Sequence, residues 1–315
     1  MEILKEFRFT SVSRHIAPAP ASNLLGPLAI LKGVWKGHGF NQIWRPFHAV
    51  APPDPPNQDR FLELNQTNET LEFAEIPGDI PNRGLLQTDI NLHGLRYLQQ
   101  VQDAIVLGPN GELAGIHVEP GIWLNVPATT NPQEPTTVAR LANIPHGTAL
   151  VAQGVAFPPI TTAPNIGAVS ITPFAIGNPG NQVPFPESNL SIPTSFRTDP
   201  GDIPNVTQQM VDNPNLVLNL GLQGKNVIST VTLNISTKPL NPPTAGGGTS
   251  NIGFLQGAAG GPNAVAAEMD AIFWIETLQE ADGRIIQQLQ YSQRVLLNFN
   301  GLSWPHVSVA TLIKQ

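Results

Sequence analysis

The chain has 315 residues, of which only 12% are charged, and it contains 32 Pro, 28 Gly and no Cys. So many turn-forming residues disfavour a helical bundle, and the length suits either two average domains or one large all-β domain. A net charge of -7 with only 16 scattered Lys and Arg argues against a nucleic-acid partner. The absence of Cys excludes disulfides and thiolate metal sites.

The N-terminal sequence MEILKEFRFT carries Glu2, Lys5 and Glu6 where a signal peptide would need an apolar core. No uninterrupted apolar run approaches the ~18 residues of a membrane span. We therefore expect a cytoplasmic protein that does not insert into a membrane.

Residues 23–37 predict one or two helical turns that lead into a strand at Gly33. In the motif GVWKGHGF, one set of alternate positions holds Gly33, Trp35, Gly37 and Gly39, and the other holds Val34, Lys36, His38 and Phe40. Period-two spacing with glycine on one face predicts a strand that bends sharply or meets another backbone closely, as strands in a barrel do.

A Pro-rich loop at residues 51–60 precedes residues 61–76, whose two apolar runs flank polar residues and predict a hairpin. Residues 91–104 predict a further strand. It is followed by Asn110-Gly111, the strongest hairpin signal in the chain, and the sequence then returns as AGIHVEPGIWLNVP.

Another antiparallel pair is predicted on either side of a turn at 145–147. We assign residues 1–157 to the first part of a barrel and residues 267–315 to its three closing strands. Residues 158–266 are rich in Pro, Gly, Asn and Thr, and predict a long insertion or small subdomain in which residues 217–237 form a strand pair.

Seven motifs follow one another in an order that is similar to the nitrobindin-like family: GVWKGHGF, LEFAEI, LRYLQQV, GIHVEPGIWL, ARLANIPHGTALVAQGVAF, LQYSQRVLL and PHVSVATL. The match covers roughly residues 24–157 and 268–313. The resemblance implies an all-β, antiparallel, calycin-type up-and-down barrel related in shape to fatty-acid-binding proteins. The family's Arg is replaced here by Leu124-Asn125, which bears on the ligand more than on the fold.

In nitrobindins the histidine that opens the last strand ligates the iron of haem b, and His306 matches that position. The resemblance implies a ferric haem that binds nitric oxide and isomerises peroxynitrite. Strand alternation places His306, Ser308, Ala310 and Leu312 on one face, so a lumenal His306 would look over small residues that leave room for a flat ligand. The alternative is a histidine at a strand end that caps a loop carbonyl.

A second candidate group is formed by His117, Glu119 and Trp123, which share one face of a predicted strand. A buried Glu119 needs a partner, and Arg96, Arg140 or His117 could supply it. We interpret this group first as a structural hydrogen-bond network and second as a site with Glu119 as a general base.

The remaining pocket candidates are Trp35, as a plug in the barrel floor, and His38, which faces the opposite way and could equally be solvated. Tyr97 and Tyr291 occur in a repeated motif, LRYLQ and LQYSQ, and could line a pocket or anchor the barrel. A metal site built from His38 and two further histidines has no supporting spacing, so haem iron is the one metal predicted.

Three functions are therefore open. The first is a haem b-binding barrel with peroxynitrite isomerase-like chemistry, and the second is a non-haem barrel that binds a fatty acid or other small apolar ligand without catalysis. The third is a structural role for the insertion, which could cap the barrel or mediate self-association, for instance as a homodimer. The residues by themselves leave open whether the protein is an enzyme.

Overall fold

The computed structural model describes residues 24–47, 60–85, 87–145, 147–238, 247–252 and 264–315. Ten antiparallel strands dominate them, which confirms the all-β prediction. They are β1 Gly33–Pro46, β2 Arg60–Glu75, β3 Ile90–Leu107, β4 Leu113–Val126, β5 Thr137–Ile144, β6 Thr148–Ile160, β7 Val227–Ser236, β8 Val265–Gln279, β9 Ile285–Phe299 and β10 Leu302–Lys314.

The ten strands pair with their neighbours in chain order, and β1 also pairs with β10, so the sheet closes into an up-and-down barrel. Closure leaves none of these ten strands as a free sheet edge. Gly39 on β1 shows why this wall needs glycine. A Cβ atom there would lie 2.5 Å from the Val309 carbonyl oxygen and 2.6 Å from the Thr67 hydroxyl oxygen. The close approach expected of the glycines in GVWKGHGF is therefore confirmed.

One large apolar cluster fills the lumen, because all ten strands contribute buried residues to it. Its floor is a 3-10 helix at Gly26–Leu31, which confirms the helical turns predicted before β1. Trp35 is fully buried on this floor, and its indole Nε1 donates a hydrogen bond to the Leu31 carbonyl oxygen at 2.7 Å. The lumen is therefore closed at the end where β1 begins.

Residues 161–226, which we call the wrap, leave the barrel after β6 and return to it at β7. The wrap contains two short helices, α1 Gln208–Asp212 and α2 Leu216–Leu222, together with a short strand, Phe174–Ala175, that pairs with β10. It lies on the outer wall, where a second apolar cluster joins its side chains to residues of β1, β2, β8 and β10.

Aromatic side chains form the centre of this outer cluster. Trp44 and Trp304 are nearly fully buried, with ring centroids 5.5 Å apart, and Phe185 of the wrap stacks on Trp304 at 5.0 Å. The Trp44 indole donates a hydrogen bond to the Ile171 carbonyl oxygen at 2.9 Å. Since buried tryptophan combines a large apolar surface with one polar atom, these contacts fix the wrap to the barrel in a defined position.

The hairpin predicted at residues 61–76 is wrong, because this segment is the single strand β2. The polar side chains that suggested a turn belong to a continuous strand. Asn65, Thr67 and Glu69 alternate with outward-facing residues and point into the lumen, where Thr67 donates a hydrogen bond to Glu69. Polar lining of a barrel and a polar turn have the same local composition.

The strand pair predicted at residues 217–237 is half wrong. Leu216–Leu222 forms α2, and only Val227–Ser236 is a strand. Periodicity cannot separate a short buried helix from a strand when the run is almost wholly apolar. This strand is β7, one of the ten barrel strands. It lies within the segment 158–266, which the sequence predicted to be an insertion. A short strand, Gly248–Asn251, follows β7 in the chain, precedes β8 and pairs with β6.

Other local predictions are confirmed. Gly111 has φ 80° in the turn between β3 and β4, and β8, β9 and β10 are the three closing strands. In the turn between β5 and β6, the Gly147 amide donates to the Ile144 carbonyl oxygen at 3.0 Å. His146, Glu2, Lys5, Glu6 and nearly all of the Pro-rich loop lie outside the described residues. Within the described ranges, no helix has the length and apolar character needed to cross a membrane.

Candidate functional site

The repeated Leu-x-Tyr-x-Gln motif builds a polar layer inside the barrel. One copy lies on β3 and the other on β9, and residues two apart on a strand face the same way. Both copies therefore direct a leucine, a tyrosine and a glutamine inward: Leu95, Tyr97 and Gln99 from β3, and Leu289, Tyr291 and Gln293 from β9.

Tyr97 joins a buried ion pair between Glu119 and Arg140. The Tyr97 hydroxyl and the Arg140 guanidinium both donate to Glu119 Oε1, and Arg140 Nε donates to the Tyr97 oxygen at 2.9 Å. Arg140 Nη1 also donates to Gln293 Oε1 at 2.7 Å. Of the three partners considered for Glu119, Arg140 therefore makes the charged contact, whereas Arg96 is exposed on the outer wall.

Tyr291 makes the equivalent contact with a second carboxyl group. Its hydroxyl donates to Glu69 Oε2 at 2.6 Å, and the Thr67 hydroxyl donates to Glu69 Oε1 at 2.8 Å. Gln99 Nε2 donates to the Tyr291 oxygen at 3.0 Å. In each copy of the motif, the tyrosine donates to one carboxyl group, and the glutamine contacts a residue that binds the other. Gln99 contacts Tyr291, and Gln293 contacts Arg140.

The surroundings shift the pKa values of the two carboxyl groups in opposite directions. Burial raises the pKa of Glu69, and hydrogen bonds from Tyr291, Thr67 and Gln99 oppose the rise only in part. Burial would also raise the pKa of Glu119, but the Arg140 charge and the hydrogen bonds to His117 and Tyr97 outweigh it and lower the pKa to about 2. Glu119 is therefore a carboxylate at neutral pH, with a permanent counter-ion.

His117 lies at the edge of this layer. Its Nε2 is 3.4 Å from Glu119 Oε2, and its side chain is 22% exposed. Because the Glu119 carboxylate can only accept hydrogen bonds, this contact favours a proton on His117 Nε2. His117 and Glu119 therefore belong to one hydrogen-bonded group, together with Arg140.

His306 lies on the lumenal face of β10, near the end of the barrel opposite the floor. It pairs with Ile43 on β1 and Val295 on β9, and Val295 belongs to the lumenal cluster. His306 is half-buried, and its Nε2 is 3.3 Å from the Ser308 hydroxyl. Further down the same face, Ala310 and Leu312 are fully buried. We call the part of the lumen around His306 the upper lumen.

Two unsatisfied amide oxygens also face the upper lumen. Asn41 pairs with Ser308 on one side and with Asn65 on the other, so the three side chains form a row across β10, β1 and β2. Asn65 Nδ2 donates to Asp103 Oδ2 at 2.9 Å, which fixes the orientation of that amide. The Oδ1 atoms of Asn41 and Asn65 are buried and have no hydrogen-bond partner among the described residues.

His38 lies on the outer wall of β1, and it lines the same pocket as His117. It is exposed, and its Nδ1 is 2.8 Å from Asn68 Oδ1. A pocket of about 850 Å³ covers this part of β1 to β4. Its outward-facing side chains on β1, β2 and β3 are Lys36, His38, Asn68, Thr70, Gln100 and Gln102. Across the described ranges, no group of three or more His, Asp or Glu side chains could hold a metal ion.

Of the remaining candidates, Trp123 packs edge to face against Phe273 in the lumen, with ring centroids 5.1 Å apart. Sequence reasoning missed Glu69, Gln99 and Gln293. The signal that could have found them is the repeated Leu-x-Tyr-x-Gln motif, because its i, i+2, i+4 spacing directs tyrosine and glutamine to the same face. Glu69 was overlooked because it fell within the wrongly predicted hairpin.

No protein-family model matches the chain, and no curated protein sequence matches it. Among solved structures, the crystal structure of Rv2717c from M. tuberculosis is similar at a TM-score of 0.39 and 15% sequence identity. That alignment covers 94% of this chain and 98% of that chain. A likeness this weak says nothing about function. Membership of the nitrobindin-like family therefore stays a prediction, and the barrel rests on its own strand pairing.

Proposed function

We propose that the barrel binds a small ligand in the upper lumen and that haem b, held by His306, is that ligand. The half-buried position of His306 on the lumenal face is the observation that supports this proposal. The side chains below it on the same strand are fully buried, and the opposite end is closed by the Gly26–Leu31 helix. The proposed ligand would lie against His306, above this packed core.

The side chains around His306 support haem as the proposed ligand. Iron requires an imidazole nitrogen, which His306 supplies, and the porphyrin requires apolar neighbours, which Ile43 and Val295 supply on the two adjacent strands. Ser308 is small and leaves space beside the ring. Its hydroxyl, 3.3 Å from His306 Nε2, restrains the orientation of the imidazole. When bound, haem would supply an iron centre for nitric oxide or peroxynitrite, as the resemblance implies.

A hemin titration of the purified protein, followed at the Soret band, tests this proposal. We expect a saturable band for the wild type and for His38→Ala, and none for His306→Ala. His38→Ala is a matched control, because it removes an exposed histidine from the outer wall of β1. A wild type without a saturable band contradicts haem binding, whereas equal bands in all three proteins contradict ligation by His306.

A second candidate ligand is favoured by the unsatisfied oxygens of Asn41 and Asn65. Because these atoms only accept hydrogen bonds, they suit an apolar ligand whose polar end carries an O–H or N–H donor. An ionised fatty acid has no such donor. The non-haem alternative is therefore better matched by a long-chain alcohol or amide than by a fatty-acid anion.

Calorimetric titration of the haem-free protein with lauryl alcohol and with laurate at neutral pH tests this second candidate. We expect about fivefold tighter binding of the alcohol, since one hydrogen bond to a buried acceptor contributes about 1 kcal/mol. Asn65→Leu should abolish the preference, whereas Asn68→Leu, on the outer wall, should retain it. Equal affinity for alcohol and acid in the wild type would rule the candidate out.

A further inference from the structure

Glu276 is a fully buried carboxyl group on the outer face of β8. It pairs with Thr230 on β7 and with Gln288 on β9, and neither neighbour carries a charge. Neither carboxyl oxygen of Glu276, nor Gln288 Nε2, has a hydrogen-bond partner within the described part of the chain. An ionised carboxylate in this position would lack both water and a counter-ion, which makes its charged form costly.

The wrap makes hydrogen bonds to the barrel on both sides of Glu276. Where the wrap begins, the Thr230 hydroxyl donates to the Thr162 carbonyl oxygen at 2.8 Å. Where it ends, Gln290 Nε2 donates to the Leu218 carbonyl oxygen of α2 at 2.9 Å. Gly221 comes so close that a Cβ atom there would lie 2.9 Å from Gln290 Nε2. Glu276 therefore lies beside the contacts that hold both ends of the wrap.

Among the residues that the structure describes, no charged group on α2, β7, β9 or β10 compensates Glu276. The α2 sequence LVLNLGL has no titratable residue, and Lys225, which follows it, is exposed. On β10, the outward-facing neighbours of Gln288 and Gln290 are Ile313 and Thr311. Burial accordingly raises the pKa of Glu276 to about 8. Glu276 is therefore protonated at neutral pH while the wrap is docked.

We propose that Glu276 makes the docking of the wrap sensitive to pH: the buried position favours the protonated acid, so α2 is released from the outer wall more readily when the carboxyl group ionises. On release the carboxyl group enters water and loses its proton to solvent. The outer face of the barrel beneath α2, including Trp274 and Val309 of the outer apolar cluster, then becomes accessible. The device is independent of which ligand the lumen holds.

The size of the effect follows from the two pKa values. In water the carboxyl group titrates near its ordinary value of 4.5, and in the docked state near 8. Between these values release of the wrap also releases a proton, so its opening constant should rise about tenfold for each pH unit. Above the docked pKa both states are ionised, and the dependence levels off.

Hydrogen exchange of the full chain, measured on peptides from α1 and α2 at pH 5.5 and 7.5, tests this proposal. Wild type and Glu276→Gln are compared at the same pH, so the intrinsic exchange rates cancel. We expect the wild-type to Glu276→Gln ratio of exchange rates to rise about a hundredfold between the two pH values. Glu72→Gln, an exposed outer-face glutamate on β2, should follow the wild type.

Peptides from β3 serve as an internal reference, since β3 is not in contact with the wrap's helices. A ratio for α2 that changes by less than about threefold overturns the proposal, and so does a parallel change in β3, which would indicate global unfolding. If Glu276→Gln does not fold, the wild type alone decides. Its α2 exchange, corrected for intrinsic rates, must rise relative to β3 as the pH increases, and a constant ratio overturns the proposal.

Discussion

Gln99 on β3 donates a hydrogen bond to the hydroxyl oxygen of Tyr291 on β9, with 3.0 Å between the two atoms. The two residues are 192 positions apart in the chain and belong to different copies of the same five-residue motif. This contact, with the one from Arg140 to Gln293, ties opposite walls of the barrel through side chains rather than through sheet pairing. The polar layer therefore stabilises the barrel across its lumen.

Tyr291→Phe should destabilise the protein by about 1 to 3 kcal/mol, because it leaves Glu69 and Gln99 buried without their shared partner. Urea unfolding measures the change. Combined with Gln99→Leu, the two effects should be non-additive by at least ~0.5 kcal/mol, since the two residues are in contact. The control is Gln100→Leu, an exposed residue on the same strand, which should add independently to Tyr291→Phe. Additive effects of Gln99→Leu and Tyr291→Phe would contradict the contact between these two side chains.

Arg140→Met should cost about 3 to 5 kcal/mol in the free energy of unfolding, since it leaves the Glu119 carboxylate buried without a counter-ion. A second change, Glu119→Gln, should recover part of that loss by removing the orphaned charge. Arg96→Met is the matched control, because Arg96 is exposed and should change stability by no more than about 0.5 kcal/mol. Equal effects at the two arginines would contradict the buried ion pair.

The pH dependence of stability should depend on Glu119. Its folded pKa, about 2, lies below the ordinary value of 4.5, so its contribution is present above pH 4.5 and is lost as the pH falls towards 2. By pH 3 the loss should be on the order of 2 kcal/mol. Unfolding free energies of wild type and Glu119→Gln at pH 6 and pH 3 measure this difference. The advantage of the wild type should shrink at pH 3, and an unchanged advantage refutes the prediction.

Gly39→Ala should destabilise the barrel by about 1 to 3 kcal/mol, because the new methyl group meets the Val309 carbonyl oxygen and the Thr67 hydroxyl at less than 3 Å. Gly115→Ala on β4 is the control, since no atom lies within 4 Å of its added Cβ. Thermal unfolding of both variants decides the matter. If the two glycines tolerate alanine equally, the close approach of β10 to β1 is not rigid.

Much of the barrel could be predicted from local sequence. Sequence patterns predicted the strand at GVWKGHGF, the turn at Asn110-Gly111 and the three closing strands, because strand alternation and turn preferences depend on a few neighbouring residues. The helical turns that form the floor beneath Trp35 were predicted for the same reason. Alternation also places His306 on the same face as Ala310 and Leu312, but it does not show that this face is the lumen or that a ligand uses it.

Only the tertiary structure decided the polar layer, the continuity of β2 and the position of the wrap. Glu69 looked like part of a turn because only Thr67 contacts it from nearby in the sequence, whereas its partner Tyr291 lies 222 positions away in the chain. Leu216–Leu222 became a helix because it packs against Gln290 and Thr311 on the outer wall. Burial in the folded protein raises the pKa of Glu276. Burial and long-range hydrogen bonds depend on which segments come into contact after the barrel closes. Local periodicity in the sequence does not specify those contacts.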